Sequence, residues 1–330
     1  MLPTVLITND VPDDHLAPLA GVADVIKGSN GFSPMPREEI IKLAPSLSGI
    51  INQAELRVDE ELLDAGSKLS IIANMAIGAD NLDTTLMAER GVWATNVPDA
   101  FTESTADHTF GLLLAVARRL VPADNYVRSG QWIHDGFQPG KWDGMELCGK
   151  TIGIVGFGKI GRAVARRAEA FGMKVIMNSP SQTDQPTYRE LHVLLAEADV
   201  VSLHVPLLPQ TRRLINSNRL RQMRPGSILI NMARGPVVDE AALIDVLASG
   251  HLAGAGLDVF EQEPRVGEAL FGMQHVVMSP HVGGGTRESR RSGRLLCTEN
   301  IALVLQGKPP RTPLNQPVGA LSVSLLPNAE

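Results

Sequence analysis

His281 and Arg234 each follow a predicted strand, at the end where open α/β sheets bind ligands. Side chains of these two types could bind a small acid and supply a proton to it. The stretch "MSPHVGGGTRES" places His281 after a proline and before three glycines. Proline fixes φ and glycine lets backbone approach closely, which suits a histidine held beside a ligand that packs on bare main chain. Histidine exchanges protons near neutral pH, and the guanidinium of Arg234 could bind a carboxylate through two hydrogen bonds. A lone histidine near a turn is more often structural, so the rest of the chain must support the chemistry.

A glycine-rich loop supplies a second chemical signal. "TIGIVGFGKIGRAVARRAEAFG" contains Gly156, Gly158 and Gly161 between an apolar strand and a helix. In a dinucleotide fingerprint the first glycine makes the turn, the second admits the pyrophosphate, and the third lets helix and strand pack closely. The helix N-terminus then offers N–H groups to the phosphates. The alternative is a glycine-rich turn without a ligand, but the strand–loop–helix context predicts a dinucleotide site.

The end of the next strand bears on the choice of cofactor. About 20 residues past the first glycine, NAD-binding proteins usually carry an acid that binds the adenosine ribose. This chain has Asn178 and Ser179 there, and the nearest acid downstream is Asp184. Without a carboxylate to repel a 2′-phosphate, the sequence favours NADP(H). An arginine for that phosphate is also missing at Pro180 and Ser181, so NAD(H) stays open.

Both chemical signals fall within an alternation of strands and helices. The predicted strands are "VLIT", "SIIAN", "TIGIVG", "KVIMN", "DVVSLH", "SILINM", "GAGLDVF" and "HVVMSP". The predicted helices are Thr102–Leu120, Lys159–Phe171, Pro186–Ala198, Asp239–Ser249 and Thr286–Gln306. Such alternation predicts an α/β fold of two doubly wound parallel-sheet domains. We expect a central Rossmann dinucleotide-binding domain at 101–288 and a flavodoxin-like substrate domain at 1–100 and 289–330, with a ligand cleft between them.

Composition narrows the class of protein. The chain has 330 residues, 44% of them hydrophobic, which is typical of a globular protein. Its net charge of −6 offers no bulk attraction to nucleic acid. Cys148 and Cys297 lie far apart, with neither metal nor redox spacing, which fits a reducing compartment. The N-terminus has no signal-peptide pattern and no apolar run approaches membrane-spanning length, so we expect a cytoplasmic protein.

Several motifs in a fixed order carry a family resemblance. The chain holds, in order, "VGFGKIGRAVA", "LINMARGPVVDEAAL", "AGAGLDVFEQEP" and "SPHVGGGT", with "MAIGADNLD" and "TESTADHTFGLLLAVARRL" upstream. Over nearly its whole length it resembles the D-2-hydroxyacid dehydrogenase family. Within that family it is most similar to the glyoxylate/hydroxypyruvate reductases and the plant-type hydroxyphenylpyruvate reductases, above all in "GLDVFEQEPRVGEALFGMQHVVMSPHVGGGTRES".

The resemblance implies a role for each residue that matches a family motif. His281 would give and take the proton, and Glu263 would hydrogen-bond His281 and hold it charged. Arg234 would bind the substrate carboxylate and polarise the keto group. Backbone N–H groups of Ile77 and Gly78 would bind the same carboxylate.

The resemblance also implies a set of cofactor contacts. Asp258 would hold the nicotinamide carboxamide. Together with the glycine loop and the ribose position, the expected cofactor-binding residues are Thr105, Gly156, Gly158, Lys159, Ile160, Gly161, Asn178, Ser179, Pro206, Ala233, Asp258, His281, Gly283 and Gly284. No metal is expected.

These residues match the needs of one reaction. Reduction of a 2-keto acid requires a hydride from the cofactor, a proton and a countercharge for the carboxylate. Together with the resemblance, which implies the substrate class, the sequence predicts NAD(P)H-dependent reduction of a small 2-keto acid, glyoxylate or hydroxypyruvate, to the D-2-hydroxy acid. By analogy with the family, the long apolar helix Thr102–Leu120 and the segment after it suggest a homodimer. A role for Trp132 and Trp142 is left open.

Two other functions remain open. The first is a reductase of a larger 2-keto acid, of the 2-ketogluconate or phenylpyruvate type. The second is a nucleotide-sensing binding protein, like the transcriptional corepressors that share this fold and can keep the catalytic set. Two departures argue against other relatives: formate dehydrogenases carry glutamine where this chain has Glu263, and phosphite dehydrogenases carry lysine where it has Ile77.

Overall fold

The computed structural model describes residues 1–28 and 33–320, which cluster into two compact units. The first unit combines Met1–Phe101 with the residues from Gly285 onward, and the second is the continuous segment Thr102–Gly284. The last ten residues of the expected substrate domain, 321–330, lie outside the described part of the chain.

Strands and helices alternate through both units. The strands are β1 Thr4–Ile7, β2 Asp24–Lys27, β3 Leu47–Asn52, β4 Ile71–Asn74, β5 Trp93–Thr95, β6 Thr151–Val155, β7 Lys174–Asn178, β8 Val200–Leu203, β9 Ile228–Asn231, β10 Gly254–Leu257 and β11 Val276–Met278. The α-helices are α1 Arg37–Leu43, α2 Glu60–Ala65, α3 Thr84–Glu89, α4 Thr102–Ala117, α5 Leu120–Arg128, α6 Gln131–Asp135, α7 Lys159–Ala170, α8 Leu191–Glu197, α9 Ser217–Gln222, α10 Glu240–Ala248 and α11 Arg287–Leu305. Short 3-10 segments lie at Asp13–Leu19, Ala44–Ser46, Gly235–Val237 and Glu268–Gly272.

The first unit is a doubly wound parallel sheet. Its strand order is β2-β1-β3-β4-β5, and every pair is parallel. This is the flavodoxin-like order, which the sequence predicted. One face of the sheet packs on a core that includes Ile40, Leu62 and Met87 of α1, α2 and α3. The other face packs on a core that includes Leu19 and Ile301, from the first 3-10 segment and α11.

The returning C-terminal segment completes this sheet. Thr95 and Pro313 form an antiparallel bridge, and the Leu314 N–H donates to the Ala94 carbonyl over 2.8 Å. The Asn315 amide oxygen accepts from the Ala94 N–H, also over 2.8 Å. An open strand edge invites pairing with other chains, and these contacts cover the edge of β5.

The second unit carries the dinucleotide-binding type of sheet. The strand order is β11-β10-β9-β8-β6-β7, again parallel throughout. Tyr188 adds a single parallel bridge to Met177 beyond β7. With Tyr188 counted as a minimal strand, the order becomes the Rossmann 3-2-1-4-5-6 with β11 appended. The predicted fold class is thereby confirmed for both units.

Helix Thr102–Leu120 was predicted too long. The structure ends α4 at Ala117, and Arg119 adopts φ +52° before α5 begins. The cause lies in the segment after α6, because the Met145 N–H donates to the Ala117 carbonyl over 2.8 Å. A side chain at Gly144 would lie 2.2 Å from the same carbonyl, so only glycine allows this approach.

The predicted helix Pro186–Ala198 begins too early. Its first residues pair with the edge of β7, where Met177 donates to Thr187 over 2.9 Å and accepts from Arg189 over 2.8 Å. The helix itself, α8, begins only at Leu191. Strand-like pairing with the sheet therefore outweighs the helical pattern of residues 186–190.

Candidate active site

The glycine loop joins β6 to α7 in a conformation that requires glycine at two of its positions. Gly156 has φ +94°, and a Cβ there would lie 2.7 Å from the His204 carbonyl carbon. A Cβ on Gly161 would lie 2.2 Å from the Gly156 oxygen. The first glycine thus makes the turn, and the third lets α7 pack against it.

The N-terminus of α7 fits a dinucleotide pyrophosphate. Gly158 is the N-cap residue, with extended backbone and no side-chain capping hydrogen bond. The first N–H groups of a helix have no partner within the helix, and they carry its positive end. The loop residues Gly158, Lys159 and Ile160 therefore offer donors and a favourable field to phosphate oxygens.

The strand beside the loop ends at the expected ribose position. The Asn178 carbonyl accepts from the Gly156 N–H over 2.9 Å, which ties the two strand ends together. The Asn178 side chain donates to the Arg189 carbonyl over 2.9 Å. Ser179 is buried and its Oγ lies 3.4 Å from that of Ser181. Asn178 therefore holds both the glycine loop and the segment that contains Arg189. The ribose position itself carries serine and asparagine, neither of which has a carboxylate.

An arginine that sequence reasoning missed lies beside this loop. The Phe157 carbonyl accepts from Arg162 Nη1 over 2.9 Å and from Gln182 Nε2 over 3.1 Å. Arg162 is exposed on the first turns of α7, and Gln182 belongs to the segment after β7. Because both side chains donate to the same carbonyl, the Arg162 guanidinium lies near the Gln182 side chain, in the loop that follows Ser179. The position directly after the third glycine was the available sequence signal.

The end of β8 leads into a neutral histidine. His204 Nε2 lies 2.8 Å from Ser202 Oγ, its Nδ1 is buried, and burial lowers the pKa of His204 to about 3. The next expected cofactor residue, Pro206, is exposed, and its carbonyl accepts from Thr211 Oγ1 over 2.6 Å. The glycine turn packs against the backbone of His204, and Pro206 follows at the same sheet edge.

A turn after β9 presents Arg234. Asn231 organises this turn, because its amide oxygen accepts from the Ala233 N–H over 3.1 Å and its nitrogen donates to the Arg234 carbonyl over 3.2 Å. Ala233 is buried, and Arg234 Nη1 donates to the Ala233 carbonyl over 2.9 Å. A Cβ on Gly235 would lie 1.7 Å from the Phe260 oxygen, so glycine is needed for the turn to approach the next loop.

His281 and Glu263 are paired through a hydrogen bond. His281 Nδ1 lies 2.8 Å from Glu263 Oε2, and Glu263 Oε1 accepts from the Phe260 N–H over 3.0 Å. Burial alone would raise the pKa of Glu263. The hydrogen bond and charge of His281, the Phe260 N–H and the charge of Arg234 together outweigh burial and lower that pKa. The three predicted catalytic side chains, Arg234, Glu263 and His281, are thus electrostatically connected through Glu263.

The loop after β11 is held by Asp258. This aspartate is 2% exposed, and its carboxylate accepts from the N–H groups of Val282 and Gly283 over 2.8 and 2.7 Å. A Cβ on Gly283 would lie 2.6 Å from the Met232 methyl and 3.7 Å from the Thr105 methyl. Thr105, Asp258 and Gly283 therefore share one neighbourhood, and Gly284 follows as the last residue of the second unit.

Ile77 and Gly78 belong to the first unit and follow β4. Asn96 Nδ2 donates to the Ile77 carbonyl over 2.8 Å, and Asn74 Nδ2 donates to the Gly78 carbonyl over 2.9 Å. Both asparagine side chains fix the backbone of the turn through its carbonyls. The N–H groups of Ile77 and Gly78 are the ones that, by the family resemblance, would bind the substrate carboxylate.

Most of the predicted residues of the second unit lie at one edge of its sheet. Gly156, Asp258 and His281 follow β6, β10 and β11, Arg234 follows β9, and Asn178 is the last residue of β7. Because these strands are parallel, their carboxyl ends meet at one edge, where open α/β sheets bind ligands. In residues 1–28 and 33–320, no group of three or more His, Cys, Asp and Glu could hold a metal ion. Over the same residues, no helix is long and apolar enough to cross a membrane.

A glycine-rich loop at a helix N-terminus and a hydrogen-bonded histidine–glutamate pair lie at the same sheet edge, an arrangement typical of nicotinamide-dependent oxidoreductases. Residues 110–283 match the family described as D-isomer specific 2-hydroxyacid dehydrogenase, NAD binding domain. The chain belongs to this family, and it is an NAD(P)-dependent oxidoreductase.

Similar proteins extend the match to nearly the whole chain. A glyoxylate reductase of Pyrococcus furiosus is 41% identical over 326 residues, covering 96% of this chain and 97% of that protein. A crystal structure of a Thermus thermophilus protein has a TM-score of 0.89 at 41% identity, covering 94% of this chain and 99% of that one. An NADPH-dependent glyoxylate/hydroxypyruvate reductase of Sinorhizobium meliloti, in complex with NADP and malonate, has a TM-score of 0.83 at 33% identity, with 95% and 97% covered.

Proposed function

We propose that this protein reduces a small 2-keto acid, glyoxylate or hydroxypyruvate, to the D-2-hydroxy acid. The observation that carries the proposal is the His281–Glu263 hydrogen bond of 2.8 Å, with Arg234 close enough to lower the pKa of the same glutamate. The names of the relatives support the substrate class, since one is a glyoxylate reductase and another an NADPH-dependent glyoxylate/hydroxypyruvate reductase.

The residues divide the work of the reaction. A bound reduced nicotinamide supplies the hydride. The Glu263 carboxylate accepts a hydrogen bond from the Nδ1–H group of His281, so the other ring nitrogen, Nε2, delivers a proton to the keto oxygen. Arg234 binds the substrate carboxylate through its planar fork and polarises the keto group. The N–H groups of Ile77 and Gly78 are proposed to bind the same carboxylate.

We propose that NADP(H) is preferred over NAD(H). Two features support this preference: no carboxylate stands at Ser179, and Arg162 shares the Phe157 carbonyl with Gln182 of the adjoining loop. A cation beside the ribose position would attract a 2′-phosphate. The NADP-bound relative from Sinorhizobium meliloti is consistent with this choice.

We propose a homodimer. The support is a concentration of exposed apolar side chains in residues 120–137, namely Leu120, Val121, Val127, Trp132, Ile133 and Phe137. Large exposed apolar patches commonly mark protein interfaces, and these side chains are close together in the sequence. Trp142 instead packs on Tyr126 of its own chain, with ring centroids 5.1 Å apart.

A cytoplasmic location is also proposed. Its support is the pair of free cysteines, exposed Cys148 and buried Cys297, in a chain with no other thiol. A reducing compartment keeps such thiols unpaired.

Steady-state kinetics test the proposed function. NADPH and NADH are each combined with glyoxylate, hydroxypyruvate, 2-ketogluconate and phenylpyruvate, and kcat/KM is compared. We expect the two small acids to give the highest values, and NADPH to exceed NADH. A higher value for phenylpyruvate or 2-ketogluconate would establish the larger-substrate alternative. Tight NADPH binding with no turnover of any keto acid would favour the nucleotide-sensing alternative.

A further inference from the structure

The backbone of His281 adopts a conformation that residues other than glycine rarely take. Its φ is +54°, in the left-handed region. The residue is held there through Asp258, whose carbonyl accepts from the His281 N–H over 2.8 Å. The Asp258 carboxylate accepts from the next two N–H groups, those of Val282 over 2.8 Å and Gly283 over 2.7 Å. One aspartate therefore fixes three consecutive backbone groups.

The Asp258 carboxylate is itself held by Ser279 and His108. Ser279 Oγ donates to Asp258 Oδ1 over 2.6 Å, and His108 Nε2 lies 2.8 Å from Ser279 Oγ. A serine hydroxyl has only one proton, and Ser279 gives it to Asp258. His108 must then donate from Nε2, which fixes its tautomer. The resulting chain of hydrogen bonds runs from His108 on α4 to the loop after β11.

The backbone angles of His281 set the direction in which its imidazole can point. The direction of a Cα–Cβ bond follows the backbone angles, so relaxation of φ to a negative value would carry the ring away from Glu263. A buried carboxylate at 2% exposure requires its hydrogen bonds, and loss of a donor would release the turn. Because Ser279 and His108 lie 171 residues apart in the sequence, the contact is visible only in the fold.

We propose that Ser279 and His108 are positioning residues, which hold the Asp258 carboxylate so that His281 keeps its left-handed backbone and faces the keto acid. The inference rests on the proposed role of His281 as proton donor. It assigns Asp258 a task separate from the nicotinamide contact that the family resemblance implies.

Variants of Ser279 test the proposal. Ser279→Ala removes the hydroxyl, Ser279→Thr keeps it, and Ser249→Ala is a control for a serine whose hydroxyl donates to the Val246 carbonyl of its own helix. We expect Ser279→Ala to lower kcat for glyoxylate about 10- to 100-fold, the range for a hydrogen bond to a charged group. KM and the Kd of NADPH should stay within about twofold of wild type, and Ser279→Thr should recover most of the kcat.

A second measurement does not depend on turnover. The Nε2–H proton of His108 should give a hydrogen-bonded downfield NMR signal in wild type, absent in His108→Gln and shifted in Ser279→Ala. A weakened NADPH affinity in Ser279→Ala equal to its loss of kcat would overturn the proposal in favour of a cofactor-binding role. An unchanged kcat would also overturn it, as would a loss that Ser279→Thr fails to recover. If wild type shows the His108 signal but reduces no keto acid, the proposed function fails while the hydrogen-bond chain stands.

Discussion

His281 Nδ1 and Glu263 Oε2 lie 2.8 Å apart, so one nitrogen of the imidazole is committed to the glutamate. The pKa of Glu263 is lowered, because its hydrogen bonds and neighbouring positive charges outweigh the effect of burial. Because the carboxyl pKa is lower in the folded protein, the pair stabilises the fold at pH values above the ordinary carboxyl pKa. This stabilisation is lost as the pH falls through the lowered pKa. The glutamate is therefore ionised wherever the enzyme works near neutrality.

Glu263→Gln should shift the pH dependence of reduction. Glutamine keeps the shape and a hydrogen bond but removes the negative charge that favours a protonated ring beside it. The descending limb of kcat/KM against pH should move to lower pH, and the maximum should fall less than in His281→Ala. An unmoved limb would mean that Glu263 does not hold the proton on His281.

Arg234→Lys should damage the enzyme although it conserves charge. Lysine cannot form the two parallel hydrogen bonds of a guanidinium to a carboxylate. We expect kcat/KM for glyoxylate to drop about 10- to 100-fold, the range for loss of a hydrogen bond to a charged group. Arg213→Lys, at an exposed ion pair with Glu261, is the matched control and should stay close to wild type. Turnover near wild type in Arg234→Lys would rule out the carboxylate-anchoring role.

Ser179→Asp should move cofactor preference towards NADH. The added carboxylate would repel the ribose 2′-phosphate and could bind the ribose hydroxyls of NAD, a change of about tenfold or more in the ratio of kcat/KM values. Ser179→Asn, which adds the same bulk without charge, separates electrostatics from crowding at this buried position. An equal ratio in the Asp and Asn variants would place the phosphate contact elsewhere.

The two thiols should differ sharply in reactivity. Burial raises the pKa of the Cys297 thiol, and this residue is 0% exposed, whereas Cys148 is exposed. The thiolate is the reactive species, so a disulfide reagent should titrate one thiol in the native protein and two in denaturant. Cys148→Ser should abolish the native reaction. Two rapid equivalents in the native state would contradict the burial of Cys297.

His204 should make the protein less stable in mild acid. Burial lowers its pKa from 6.5 to about 3, so between these values only the unfolded chain binds a proton there. The free energy of unfolding should then decrease as pH falls through this window, by up to about 1.4 kcal/mol per pH unit. Urea titrations of His204→Gln should show a shallower pH dependence, whereas exposed His192→Gln should match wild type. Identical slopes in all three proteins would contradict the prediction.

Sequence patterns predicted the fold class because both sheets depend on short apolar strands between helices. The missed strands all belong to the first unit: β2 and β5 are short strands at its edges, and the apolar run of β3 is interrupted by Gly49. The overlong helix at Thr102–Leu120 reflects a tertiary cause, since residues 144 and 145 approach the Ala117 carbonyl. No local pattern could report that contact.

The candidate site was predictable where a residue sits in an ordered motif. Arg234, Glu263 and His281 each follow a recognisable strand or glycine pattern. Arg162 and the contact between His108 and Ser279 were missed, because they depend on which loops meet at the sheet edge. Partners distant in the sequence become visible only when the strand order is known.

The C-terminal segment that covers β5 has a consequence for synthesis on the ribosome. Thr102–Gly284 is one uninterrupted stretch, so every strand of the second sheet has been made before the last residues of the first unit. The first sheet, by contrast, must wait for α11 and for Leu314, which donates to Ala94. The half that starts first is completed last, and until then its β5 edge stays open to pairing with neighbouring nascent chains.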